Sequence, residues 1–390
     1  MKITIATGPI FPVPTVRGGA AQRVWEGLLP EFVKRGHEVT VFAREFPGQP
    51  NEEMAGGIRY LRRGGYEQST SIKRDLVQCL LYALKVARHV PPGDVVVTND
   101  FWLPAVLPHL NRRAGKVVAS IARFPKRQFF LYGKCAAIAP VSESVADGIR
   151  RQTPGIAQKI TVVPNCVDAA FLVPPTRRQA QSVTRILFVG RIHPEKGLGL
   201  LAEALRLLAA RDQETKRPKD EEPEFAAADG DGVSPVGAGR GQTNDWECVL
   251  VGPVEQSEGG GGENFAQDLK RQLHGLPVTF EPAVYNVSAL AKIYDKGDVL
   301  VYPSIAEKGE AMPLAPLEGM ARGLVPVVSD IAAFWEYLDP GKNGLVFDHR
   351  GPDAAINLAR ALQDLVSNAG KRAAMSVTAR ETAERFSPAA

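Results

Sequence analysis

The chain has 390 residues, of which 44% are hydrophobic and 23% charged, with a formal net charge of +4. This length exceeds what one hydrophobic core usually organises, so two domains are expected in a soluble globular protein. No apolar run approaches the roughly 18 to 20 residues that cross a bilayer, and the four cysteines are too scattered for a disulfide framework or a zinc site, which predicts reduced thiols and a cytoplasmic location.

The opening MKITIATGPIFPVP has no signal-peptide core and reads as a strand at residues 3–6 followed by a proline-containing loop. Gly18 and Gly19 then open a helix predicted over residues 20–35. Glycines at such a helix start let a ligand approach the backbone and leave N–H groups to meet it. Further first-half strands are predicted at residues 38–42, 58–61, 95–98, 116–121, 136–139 and 160–163, alternating with amphipathic helices. That alternation argues for a parallel sheet covered on both faces.

Charge is uneven along the chain. Residues 1–180 hold 25 Lys+Arg against 13 Asp+Glu, and the remainder 22 against 30, so +12 and −8 give the net +4. Residues 101–142 contain no acidic side chain, and their cations, among them Arg123, Lys126 and Arg127, are interleaved with Phe124, Phe129, Phe130 and Tyr132. The patch suits an anionic membrane surface or a phosphate-bearing acceptor; the alternative is a solvated basic face with its aromatics turned inward. Nucleic acid is not expected, because no recognition motif accompanies the charge. Ser142 reads as a helix cap.

Residues 1–170 form the expected first domain, 171–184 a linker interrupted by Pro174 and Pro175, and 185–390 the second domain. Second-domain strands are predicted at residues 186–189, 248–251, 278–280, 299–302, 325–328 and 345–347. After the first of these comes GRIHPEKG, in which Arg191 and Lys196 flank the start of a helix predicted over residues 198–211. Two cations at a positive helix end suit a phosphate or diphosphate; the alternative is a turn balanced locally by Glu195. Residues 211–245 carry too few large apolar groups to order themselves and read as a disordered insertion, and Glu258 and the four glycines after it as a second flexible stretch.

The stretch SIAEKGEAMPLAPLEGMARG carries Glu310 and Glu318 eight positions apart, with a helix predicted to start at Pro313. Glu310 then faces the helix N-terminus. Glu318 lies beside the stripe Leu314, Leu317 and Ala321, where a carboxylate needs a partner. Sugar hydroxyls would serve; the alternative pairs Glu318 with Arg322 and leaves Glu310 solvated.

These segments, in order from GGAAQRVWEGLL through APVSESVADGI, VVPNCVD, VGRIHPEKG and DVLVYPS to the E-x7-E stretch, resemble the family 4 retaining glycosyltransferases of the GT-B fold. The resemblance spans nearly the whole chain. It implies an α/β architecture of two doubly wound, Rossmann-like domains facing across a cleft, the first binding an acceptor and the second a nucleotide sugar. It also implies that Arg191 and Lys196 grip the donor diphosphate, that Glu318 accepts from the ribose and that Glu310 lies beside the donor sugar. The amides of Ala311, Met312, Pro313 and Leu314 would face sugar and phosphate, and Gly19 would lie next to the diphosphate from the first domain. The catalytic set is then Arg191, Lys196 and Glu310. No cofactor is expected, and no D-x-D pair stands where a metal would be held. The donor would be a UDP-, GDP- or ADP-sugar, the acceptor a hydroxyl on a molecule that could be lipid-linked or anionic, and the basic first domain could touch a membrane peripherally.

Three departures from the family pattern bear on activity. Ala122 and Arg123 stand where many members carry a histidine, Cys166 replaces a glycine, and the chain reaches Phe386, Ser387 and Pro388 where relatives continue into a helix that crosses back to the first domain. The first is expected to remove a contact to the donor sugar, and the last to loosen domain closure. A GT-B nucleotide-sugar epimerase or hydrolase, and a catalytically silent nucleotide-sugar binder, are the alternatives.

Overall fold

A computed structural model describes residues 1–16, 19–69, 71–175, 183–216 and 245–390. The first domain holds strands β1 (Lys2–Thr7), β2 (Glu38–Ala43), β3 (Glu52–Ala55), β4 (Ile58–Arg62), β5 (Val95–Asn99), β6 (Lys116–Ile121) and β7 (Ala137–Pro140) in one sheet of order β3-β4-β2-β1-β5-β6-β7. All neighbours pair in parallel except β3 with β4. Helix α1 (Ala20–Lys34) covers one face, where Trp25 and Leu29 pack on Ile5, Val39 and Val41. Helices α2 (Ile72–His89) and α3 (Leu103–Leu110) cover the other, as right-handed crossovers toward β7 require. Helices α4 (Glu143–Gln152) and α5 (Ala169–Leu172) complete the domain.

The second domain has β8 (Thr184–Val189), β9 (Trp246–Val251), β10 (Val278–Glu281), β11 (Val299–Tyr302), β12 (Val325–Ser329) and β13 (Leu345–Phe347), all parallel, in the order β10-β9-β8-β11-β12-β13. Its helices are α6 (Leu198–Lys216), α7 (Glu263–Gln272), α8 (Val287–Tyr294), α9 (Leu314–Ala321), α10 (Ala354–Ser367) and α11 (Ala369–Glu384). Central strands such as β11 and β12 are buried along their whole length, which is why they read as unbroken apolar runs. The strand order reverses between β8 and β11, and the carboxyl ends of strands at such a reversal form a ligand crevice.

Several expectations are corrected. Residues 160–163 form no strand: Ile160 makes one bridge to Ile138 and Val163 N–H donates to the Pro140 carbonyl at 2.9 Å, but Pro140 has no N–H to return a bond that would extend the ladder. The edge strand β3, with sequence EEMA, was not predicted, because its mostly exposed residues show no inward-facing alternation. Pro313 precedes helix α9 as an extended cap (ψ 131°) instead of being its first residue. Helix α6 runs on to Lys216, five residues into the predicted insertion after Arg211, and residues 217–244 of that insertion lie outside the described residues.

The flexible glycine stretch is instead a folded turn. The N–H groups of Gly260, Gly261 and Gly262 donate to the carbonyls of Glu255, Ile192 and Val254 at 2.8 Å each, and a Cβ at position 260 would lie 2.1 Å from the Val254 oxygen. Closure is tied as well: Val167 N–H donates to the Phe386 carbonyl at 2.8 Å and Arg35 to that of Ala389 at 3.0 Å, so the last residues do reach the first domain.

Candidate functional site

Loops after β8 and β11 meet at the reversal point. The β8 loop turns at His193, whose Nδ1 accepts from the Glu195 N–H at 3.2 Å, and leaves through Gly197 in the left-handed conformation (φ 68°) into α6. A Cβ at Gly197 would come within 1.9 Å of the Pro303 carbonyl oxygen, so this glycine allows the two loops to touch. Lys196 is thereby held inward: its Nζ donates to Glu310 Oε1 at 2.6 Å and lies 5.3 Å from the centroid of the Tyr302 ring. Ser304 Oγ donates to the same Glu310 oxygen at 2.7 Å. Both members of the pair are buried, so Glu310 is not the solvated residue of the bland sequence reading. Burial also pushes the Tyr302 phenol well above its ordinary range.

Arg191 is more open. It pairs with Glu195, and its Nη1 donates to the Gly259 carbonyl at 2.8 Å. Arg191 is thus balanced by Glu195, as the alternative sequence reading had it, while Lys196 is paired with the distant Glu310. Burial holds the His193 imidazole below its usual range.

Glu318, on α9, is buried but does not pair with Arg322. Its Oε1 pairs with Arg23, from α1 of the opposite domain, and its Oε2 accepts from the Tyr294 hydroxyl at 3.0 Å. Arg322 instead donates through Nε to Asp295 at 2.7 Å and through Nη1 to the carbonyls of Phe171 and Val173 in the linker. Ahead of α9, Ala311, Met312 and Leu314 are buried, and Asn165 of the first domain donates to the Met312 carbonyl at 3.0 Å. The N–H groups of Ala311 and Met312 make no hydrogen bond among the described residues. Gly19 caps α1 with φ 108° and its carbonyl accepts from the Arg23 N–H at 3.1 Å; Gly18 lies outside the described residues.

The loops after β8 and β11 carry Arg191, Lys196, Glu310 and the segment 311–314, and Glu318 on α9 meets Arg23, one turn after Gly19. Arg123, Lys126 and Arg127 are not part of that group: they are exposed after β6, with no ion-pair partner among the described residues. Ser142 Oγ accepts from the Val145 N–H at 3.3 Å as a helix cap. Sequence reasoning missed three features. One is Arg23. Another is the glycine turn that supports Arg191. The third is a cavity of about 490 Å³ at the carboxyl ends of β9 and β10, lined by Gly252, Glu255, Glu258, Glu281 and Tyr285 among others. The Tyr285 hydroxyl donates to Glu258 across it at 2.8 Å. Only the rule that ligands bind at the carboxyl ends of parallel strands could have located it, since no motif marks these residues.

Comparison with known proteins gives a consistent result. The family model described as Glycosyltransferase Family 4 matches residues 17–171, and that described as Glycosyl transferases group 1 matches residues 236–368. Spore coat protein SA of Bacillus subtilis (strain 168) is 26% identical over 98% of this chain and 95% of its own length. A D-inositol 3-phosphate glycosyltransferase of Geodermatophilus obscurus is 26% identical over 87% of this chain and 77% of its own. Among solved structures, sucrose-phosphate synthase from Thermosynechococcus elongatus superposes with a TM-score of 0.74 at 16% identity, over 99% of this chain and 95% of that one.

Proposed function

Because the chain belongs to the family 4 glycosyltransferases of the GT-B fold, we propose that it moves a sugar from a UDP-, GDP- or ADP-sugar to a hydroxyl acceptor in the cytoplasm, with retention of anomeric configuration and without a metal ion. The observation that carries this reading is the buried Lys196–Glu310 pair at the carboxyl ends of β8 and β11, flanked by Arg191 and by unpaired amides of residues 311 and 312.

Breaking the anomeric C–O bond puts positive charge on the sugar and negative charge on the departing diphosphate. Fixed cations beside that phosphate stabilise the transition state more than the ground state. In this reading Lys196 and Arg191 take the diphosphate, joined by the Gly19 backbone and the 311–314 segment, while Glu310 stays beside the donor sugar and Glu318 accepts from the ribose. The base occupies the cavity beyond β9 and β10. A front-face course fits a site whose carboxylates are occupied by cations: the leaving phosphate oxygen takes the acceptor hydroxyl's proton as the acceptor oxygen bonds the anomeric carbon.

A thermal-shift screen with UDP-, GDP- and ADP-sugars tests this directly. A true donor at a hundredfold its Kd stabilises by roughly 2.7 kcal/mol, and Lys196→Ala or Arg191→Ala should remove most of the shift. If both variants respond like wild type, the cradle is misassigned. Assaying products with and without acceptor separates transfer from epimerisation, hydrolysis or silent binding.

A further inference from the structure

The outward face of α2 is unusual for a helix on a protein surface. Its buried side, Cys79, Tyr82, Ala83, Val86 and Ala87, packs inward, yet Val77 and Leu81 on the opposite side are 59% and 62% exposed. Around them stand Lys73, Arg74, Lys85 and Arg88, all exposed, with no ion-pair partner among the described residues. The helix has one acid, Asp75, which accepts from Ser69 away from that face. An apolar strip ringed by cations is the pattern of a helix that lies in a membrane interface.

The basic segment after β6 belongs to the same surface. Trp102 Nε1 donates to the Leu76 carbonyl at 3.0 Å, the Phe101 and Trp102 rings meet at 5.0 Å, and the Tyr132 hydroxyl donates to the Phe101 carbonyl at 2.6 Å. This chain of contacts joins α2 to the turn Phe129–Tyr132, where Phe130 is 70% exposed, next to Arg123, Lys126 and Arg127. Across residues 68–142 there are 11 Lys+Arg against three Asp+Glu, a balance of +8. The residues after β6 and the start of α2 both lie at the carboxyl end of the first sheet, the end that faces the cleft.

We propose that this surface docks the protein on an anionic lipid bilayer, with Val77, Leu81 and Phe130 entering the interface and the surrounding cations meeting the headgroups. The exposed apolar side chains select a bilayer over a soluble polyanion, which would engage the cations alone. Docking by this face brings the acceptor side of the cleft to the membrane; no helix of the described residues is long and apolar enough to cross it.

The test is flotation of the full chain with phosphatidylcholine vesicles and with vesicles containing about 30% phosphatidylglycerol. Wild type should float with the anionic vesicles only, and added salt should weaken the association. At roughly 1 kcal/mol per basic side chain, the triple change R123A/K126A/R127A should lower the partition coefficient on the order of a hundredfold. The double change V77S/L81S, at exposed positions where folding is not at stake, should also lower it at least several-fold while leaving the thermal midpoint and any nucleotide-sugar shift unchanged. Three outcomes would overturn the proposal: no flotation, equal flotation with neutral vesicles, or binding that V77S/L81S leaves intact, the last being the behaviour of a surface built for a soluble polyanion.

Discussion

Both oxygens of Glu318 are engaged, one by Arg23 and one by Tyr294, so a ribose that needs this carboxylate competes with a guanidinium from the opposite domain. Removing Arg23 leaves the buried Glu318 carboxylate short of a charged partner, a penalty of about 1 to 3 kcal/mol that an incoming ribose would relieve. Arg23→Ala should therefore tighten donor binding at least about fivefold by calorimetry; a weaker Kd would make Arg23 a donor ligand instead of a competitor. His193 gives a prediction with a definite sign. Its folded-state pKa lies below the ordinary value near 6.5, for reasons of burial. The unfolded chain then binds the proton more readily, so the stability tied to this group is present above about pH 6.5 and is lost as pH falls through the folded value. The thermal midpoint of His193→Asn, which keeps a side-chain acceptor for the cap, should fall less between pH 7 and pH 5 than that of wild type.

At the scale of elements, the loops after β8 and β11 function as one unit because Gly197 lets them touch. Gly197→Ala meets both the left-handed backbone and the Pro303 carbonyl. The two effects together should cost about 2 to 5 kcal/mol, read as a lower midpoint in denaturant melts, and should weaken donor binding by displacing Lys196. The glycines at 259–262 show the limit of composition as a guide. A run of glycines signals freedom in an isolated chain, but here Gly260 and Gly261 approach the backbone of Val254 and Ile192 closely, and Gly259 lies against the Arg191 side chain, which donates to its carbonyl. The same limit explains β3: an exposed edge strand buries little, so no periodic pattern announces it.

At the scale of the whole molecule, Arg322 joins the linker to the second domain through Asp295 and the carbonyls of Phe171 and Val173, while Phe171 packs on Tyr294 with ring centroids 5.6 Å apart. Arg322→Ala leaves the half-buried Asp295 without its charged partner, a loss of about 1 to 3 kcal/mol. Limited proteolysis should then cut faster near the linker, and an unchanged cleavage rate would mean that the hinge does not depend on this arginine. The domains also meet where the Glu143 N–H, at the start of α4, donates to Glu336 Oε1 at 2.5 Å, a contact between residues 193 positions apart. The sequence by itself determined the two-domain α/β plan and the placement of Arg191, Lys196, Glu310 and Glu318, because parallel strands buried on both faces must be apolar runs and because cations, glycines and prolines at helix starts have local causes. Only the tertiary structure decided that Glu318 pairs with Arg23 across 295 positions and not with Arg322, that Glu310 neutralises Lys196, and that an apolar strip on α2 joins the basic surface after β6. Each of these depends on which distant side chain burial brings within a few ångströms, and no local periodicity encodes that.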